Sequence, residues 1–306
     1  MNELIQKIKK LKKEKNAVIL AHCYQNAEID EVADFVGDSL YLSQMAAKTD
    51  ADIILFAGVY FMAQTAKILN PNRKVLLPRL ESGCRMADMI SLNQLIEFKS
   101  KYPDIPTVCY INSTAEVKSE CDICCTSSNA IKIVESLKAE KALFLPDTYL
   151  GKWVEKQLGN IEVITYPGFC PTHLQIRPED IIKAREKYPK ALVLAHPECH
   201  QTVTELADYV GSTTGIMDYA IKSSEKQFII ATEKGVVDRL QRDYPEKEFI
   251  LIKENIICPN MKWHNLIDIY NALKNEEHEI NVDNEIAAKA LECIDRMLAV
   301  SAAGVR

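Results

Sequence analysis

The chain has 306 residues, a formal net charge of −6, 47% apolar residues and 26% charged residues. That is the composition of a globular protein with a sizeable core. The only basic run, residues 7–15, is interleaved with Leu4, Ile5, Ile8 and Leu11 at helical spacing, so it reads as a solvated helix face and gives no case for nucleic-acid binding. No apolar stretch is long enough to span a bilayer, and no apolar core follows the N-terminal charges, so a cytoplasmic protein is expected. Ten cysteines in such a chain point to metal or catalytic use of some of them rather than to a disulfide framework.

In chain order, the pattern predicts helix 3–15, strand 17–21, helices 27–34 and 39–48, strand 52–57, helix 60–69 and strand 74–77. A helix near 91–101 links to strand 107–111, helix 128–138, strand 141–145, helix 150–158 and strand 161–165. A second linking helix, 178–187, has Pro178 at its start, where the missing N–H costs nothing. Strand 191–195, helices 201–207 and 214–221, strand 227–231, helix 235–243 and strand 248–252 follow, and residues 264–300 close the chain as two helices. Short Val/Ile/Leu runs alternating with helical periodicity imply parallel strands covered on both faces. The fold class is therefore α/β.

The alternation occurs three times, and the copies resemble one another. AVILAHCYQNAEIDEVADFVGDS and ALVLAHPECHQTVTELADYVGSTTG open two of them, and the diverged TVCYINSTAEVKSECDICCTSSNA opens the middle one. Repetition at this length implies three homologous three-layer αβα domains around a pseudo-threefold axis. The expected limits are 1–88, 89–174 and 175–263, with 264–306 closing the assembly.

Each copy ends in a cysteine just beyond a strand: Cys84 in SGCRMA, Cys170 in GFCPTH and Cys258 in IICPNM, 86 and 88 residues apart. Loops past the carboxyl ends of parallel strands are where α/β proteins bind ligands. Three thiolates from equivalent loops make a metal site with one position open. Zinc would take His173 as its fourth ligand; an iron–sulfur cluster with one free corner fits three thiolates better. Cys109 and Cys293 read as buried apolar residues. Cys121-x-x-Cys124-Cys125 occurs once and reads mainly as packing at a helix start. Cys23 and Cys199 lie near the expected site and have no counterparts in the other copies.

The helix starts Gly37-Asp38-Ser39, Thr126-Ser127-Ser128-Asn129 and Gly211-Ser212-Thr213 can cap their own helices. Converging on one axis, they would also hold carboxylates or a phosphate. His22 with Tyr24, Tyr110 with Asn112, and His196 with Glu198 stand at strand ends as acid–base groups.

Taken together, AHCYQ, DFVGDS, YINST, CTSSNA, GFCPTH, HPEC, YVGSTTG and CPNMK resemble the quinolinate synthase family over essentially the whole chain. The resemblance implies a [4Fe–4S] cluster held by Cys84, Cys170 and Cys258. It implies substrate contacts at His22, Tyr24, Asp38, Ser39, Tyr110, Asn112, Ser127, His173, His196, Glu198, Ser212 and Thr213. Glu198, His196, Tyr24 and His22 would be the proton carriers. The implied reaction is a transferase step of NAD synthesis: iminoaspartate and dihydroxyacetone phosphate give quinolinate, phosphate and two waters. An aspartate-oxidising enzyme would be the partner that supplies iminoaspartate. Cys23 departs from the family pattern, and the C-terminal CxxCxxC of some members is absent. Read from the residues alone, a hydro-lyase with the same open iron and a zinc-stabilised dicarboxylate-binding protein remain the alternatives.

Overall fold

Three parallel four-stranded sheets with one shared strand order organise the computed structural model, which describes residues 2–303. The chain opens with α1 (Asn2–Glu14), which buries Ile5 and Ile8 and leaves its lysine face outside. The first sheet and its cover then comprise β1 (Ala17–His22), β2 (Phe35–Gly37), α2 (Ser39–Lys48), β3 (Ile53–Ala57), α3 (Tyr60–Leu69) and β4 (Lys74–Leu76). After α4 (Leu92–Ser100) come β5 (Thr107–Tyr110), α5 (Ala115–Lys118), β6 (Ile123–Cys125), α6 (Ala130–Ser136), β7 (Lys141–Leu145), α7 (Thr148–Leu158) and β8 (Glu162–Thr165). After α8 (Pro178–Lys187) come β9 (Leu192–Ala195), α9 (Gln201–Thr204), β10 (Tyr209–Val210), α10 (Thr213–Lys222), β11 (Gln227–Ala231), α11 (Lys234–Asp243) and β12 (Glu248–Leu251). The last helices are α12 (Leu266–Asn275) and α13 (Asn284–Ala302).

The sheet orders are β2-β1-β3-β4, β6-β5-β7-β8 and β10-β9-β11-β12. Each winds one way from its first strand and then the other, which leaves a crevice beyond the carboxyl end of that strand. His22, Tyr110 and His196 stand there, at the ends of β1, β5 and β9. Both faces of the sheets are covered, as a parallel sheet requires. In β3, Ile54 and Phe56 join the central core, while Ile53, Leu55 and Ala57 pack under α1 and α12. In β11, Phe228 and Ile230 face the central core, and Ile229 and Ala231 join a separate outer cluster.

Local chemistry sets the helix boundaries. Asp38 caps α2 by accepting the Tyr41 N–H at 3.0 Å, and Ser212 caps α10 by accepting from Gly215 at 3.1 Å. Pro178 begins α8, and Gly159 ends α7 at φ 70°, the left-handed value that glycine tolerates. Three strands escape the sequence pattern: β2, β6 and β10 have three, three and two residues, too few to show a period. The expected helices 27–34 and 201–207 shrink to a 3-10 turn at Ala27–Glu31 and a single turn, α9. The segment holding Cys124 and Cys125 is strand β6, not a helix start. Among the described residues no helix is long and apolar enough to cross a membrane.

Candidate functional site

The three crevices open on one cavity of about 310 Å³. His22, Tyr24, Asp38 and Ser39 line it from the first repeat. Tyr110, Asn112, Ser127 and His173 come from the second, and His196, Glu198 and Thr213 from the third. Cys84, Cys170 and Cys258 complete the wall. Ser212 stands apart: its hydroxyl is spent on capping α10, and it borders a shallow groove beside Gly37 and Asp38.

Each of the three cysteines is half-buried and is followed by a 3-10 turn: Ala87–Met89, His173–Gln175 or Pro259–Lys262. The turns aim backbone N–H groups at the sulfurs: those of Met86 and Ala87 at Cys84, of His173 at Cys170, and of Asn260 and Met261 at Cys258. The fold thus repeats one thiolate cradle three times. Burial still pushes the thiols up, that of Cys84 to about 12, and Cys84 and Cys170 each feel the Cys258 sulfur. Thiols held this way stay protonated until a cation joins them, and N–H groups on the sulfurs are what tune a bound cluster. Asn112 Oδ1 is buried and without a hydrogen-bond partner in this wall. The donor set, its common cavity and that unused acceptor fit an iron–sulfur cluster with a ligand beside it. Glu233 steadies the third cradle by accepting the Cys258 N–H at 3.3 Å.

Glu198 is the centre of the polar wall. Its Oε1 accepts the Tyr110 hydroxyl at 2.5 Å, and its Oε2 lies 2.8 Å from His173 Nδ1. His173 Nε2 lies 2.8 Å from the Thr232 hydroxyl, which is 3.0 Å from the Tyr24 hydroxyl, itself 2.9 Å from that of Thr213. A consistent assignment of protons runs in one direction. Thr213 donates to Tyr24, Tyr24 to Thr232 and Thr232 to His173 Nε2, which leaves the Nδ1 hydrogen between Cys170 Sγ at 3.2 Å and the Glu198 carboxylate. The His173 and His196 rings stack at 4.6 Å, and His196 Nε2 reaches Ser127 Oγ at 3.3 Å.

Burial opposes ionisation of Glu198, but His196, His173 and the hydrogen bonds from His173 and Tyr110 outweigh it, so the carboxyl is held well below the usual range. Burial pulls His196 down to about 3 and His22 to about 4, against the attraction of Glu198 and Asp38 respectively. Burial and the charge of Glu198 raise Tyr24 and Tyr110 well above the usual phenol value. At neutral pH the Glu198 carboxylate therefore sits among the neutral imidazoles of His22 and His196 and the phenols of Tyr24 and Tyr110, which is the arrangement of a proton-transfer centre.

Three contributors were not legible as site residues. Thr232, the middle of the relay, follows β11; the carboxyl end of a third strand was the available signal. Arg85, next to Cys84, is the one Lys or Arg side chain in the described cavity wall. The third contributor lies elsewhere: Cys109, Cys124 and Cys293 converge in the core, close enough together to hold a metal. The same proximity relates Cys170, His173 and Glu198 in the cavity.

A family model described as quinolinate synthetase A protein matches residues 6–299. A quinolinate synthase of Alkaliphilus metalliredigens is 52% identical over 302 residues, covering 98% of this chain and 100% of that relative. One from Caldicellulosiruptor saccharolyticus is 48% identical, covering 98% and 99%, and one from Dehalococcoides mccartyi is 50% identical, covering 97% and 99%.

Proposed function

The chain belongs to the quinolinate synthetase A family, and from that premise we propose that it condenses iminoaspartate with dihydroxyacetone phosphate. The products are quinolinate, one phosphate and two waters, a balanced transferase reaction in NAD synthesis. The observation that carries this reading is the single cavity in which three cysteine cradles meet a hydrogen-bonded relay centred on Glu198.

Cys84, Cys170 and Cys258 would hold a [4Fe–4S] cluster. When bound, it supplies one iron without a protein thiolate, a Lewis acid for a substrate oxygen or nitrogen. The rest is the work of the chain. Arg85 and the helix starts at Ser39 and Thr213 offset the charge of a dicarboxylate and a phosphate ester. Ser127 and Asn112 offer a hydroxyl and an unpaired amide oxygen to the substrate nitrogen and oxygens. Expulsion of phosphate and two waters, with ring closure, requires protons to move repeatedly. Glu198 takes a proton from the intermediate, and His173, Thr232 and Tyr24 carry protons along the relay. His196 and His22, both neutral, serve as acceptors on either side. The cavity lining also contains Val59, Phe61, Met62 and Met86, which exclude water from an imine that hydrolyses readily.

The division 1–88, 89–174, 175–263 and 264–306 is the proposed domain plan, since each of the first three spans carries one sheet. The supplier of iminoaspartate would be an aspartate-oxidising enzyme, in the cytoplasm. The test is anaerobic incubation of iron-loaded protein with both substrates. Quinolinate and phosphate are expected in a one-to-one ratio. Phosphate release without quinolinate, or no turnover by fully loaded protein, would overturn the reading.

A further inference from the structure

Behind the second sheet lies a group of thiols for which the reaction has no use. Cys109 on β5 and Cys124 on β6 are directly paired across the two strands, with their sulfurs 3.3 Å apart. Cys293, on α13, brings its sulfur to 3.2 Å from Cys124 and 3.8 Å from Cys109. All three are sealed, at 0%, 0% and 1% exposure. Cys121, just before β6, neighbours Cys109 and at present donates its thiol to the Val117 carbonyl at 3.2 Å.

One more buried group faces these sulfurs. Lys118 is wholly buried, gives a hydrogen bond to the Ser113 carbonyl, and lies 5.3 Å from the centre of the Phe61 ring. Among the described residues no carboxylate pairs with it; the groups around it that can carry negative charge are Cys124, Cys109, Cys293 and Cys121. A buried ammonium without a counter-charge costs several kcal/mol. Burial pulls the Lys118 pKa down, so beside four neutral thiols the side chain is driven toward the uncharged amine, whereas neighbouring thiolates hold it as an ammonium.

We propose that Cys109, Cys124 and Cys293 bind one divalent thiophilic cation of zinc's class, with Cys121 as the fourth donor within reach and Lys118 as the counter-charge. The geometry suits one ion. Sulfurs about 2.3 Å from a tetrahedral centre stand about 3.8 Å from one another, so the triangle needs to widen by only about half an ångström. A cubane cluster needs more room, because its thiolates sit on different irons. With three thiolates the charges also close: each of the three thiols releases a proton, three thiolates and a divalent ion carry one net negative charge, and the ammonium neutralises it, so Cys121 would join as a neutral thiol or leave one negative charge over. No electron is transferred. Cys121-x-x-Cys124 has the pair spacing common in structural zinc sites. The bound ion ties α13 to β5 and β6 from within, so the C-terminal helix locks when the ion enters and the ion is trapped once the helix is docked.

The experiment is metal analysis of the full-length protein, purified anaerobically from cells grown with iron and zinc and dialysed against a chelator. About one zinc per chain is expected in addition to the iron. Cys124→Ala and Cys293→Ala should each lose the zinc and keep the iron, while Cys84→Ser should do the reverse. X-ray absorption at the zinc edge of the unaltered protein needs no variant and should show three or four sulfur neighbours. Zinc absent from the unaltered protein, an edge spectrum dominated by nitrogen or oxygen, or zinc retained by both alanine variants would each overturn the assignment. Zinc is read independently of quinolinate, so the outcome does not depend on the reaction proposed above.

Discussion

Two cysteine triads in this molecule have opposite construction. Cys84, Cys170 and Cys258 lie in irregular segments after the last strand of each sheet, half-buried, with sulfurs cradled by turn N–H groups beside an open cavity. Cys109, Cys124 and Cys293 lie on two paired strands and a helix, sealed from solvent against a buried lysine. Loop thiols at strand ends can be approached by a ligand while the scaffold behind them stays rigid. Thiols on regular elements can hold those elements together but cannot admit a substrate. The first arrangement suits catalysis and the second suits closure of the fold.

The sharpest way to break that contrast is to exchange the triads' roles by mutation. Cys84→Ser, Cys170→Ser and Cys258→Ser should each lose the iron–sulfur chromophore and quinolinate formation altogether. Cys109→Ala should keep both but lose the zinc proposed above, and with it more stability than the ~1–2 kcal/mol of a small core truncation. Iron per chain and the denaturation midpoint are the readouts. Full iron loading in one of the three serine variants, or loss of iron in Cys109→Ala, would reverse the assignment of the triads.

Within the open region the next largest effect belongs to Glu198. Glu198→Gln keeps the shape and an acceptor for Tyr110 but removes the charge that anchors the relay. Turnover is expected to fall roughly 10²-fold or more, the usual scale for a positioned acid–base group, with iron content retained. Near-normal turnover would shift the proton-transfer role to His22 or His196.

The two triads also differ in how legible they are in the sequence. Cys84, Cys170 and Cys258 recur at nearly even intervals after similar strand–helix–strand runs, so the repeat alone indicates that they converge. Cys109 and Cys124 meet through strand pairing, and β6 has only three residues, too short for a period-2 signal. Cys293 arrives from the other end of the chain on a helix whose docking no local pattern encodes. The same limit hid Thr232: its role comes from a hydroxyl lying between Tyr24 and His173, a tertiary fact. The three sheets and the crevice residues His22, Tyr110 and His196 were readable because they follow from apolar runs and their ends. The edge strands β2 and β10 were not, for the same reason as β6.

The smallest expected effect sharpens the contrast through pH. His264 ends the segment that carries Cys258, is wholly buried, and has its Nε2 2.6 Å from the Gly58 carbonyl oxygen, to which it donates; Nδ1 has no partner. Burial lowers its pKa, with Gly58 and Asp268 acting in the opposite sense and Arg79 adding to the lowering. A histidine whose folded pKa lies below its unfolded value of about 6.5 binds fewer protons in the folded state, so its contribution is complete above that pH and is lost as pH falls below it. Each pH unit in that window removes up to about 1.4 kcal/mol from any opening that frees the imidazole. Hydrogen exchange expressed as opening free energy should therefore weaken at residues 258–264 between pH 7 and pH 5.5, while α13, clamped at Cys293, keeps its protection. His264→Asn should flatten the dependence without opening the sealed triad. Equal weakening of both regions, or an unchanged slope in that variant, would mean that the Cys258 segment is held by something other than this imidazole and that the open triad is no more easily loosened than the closed one.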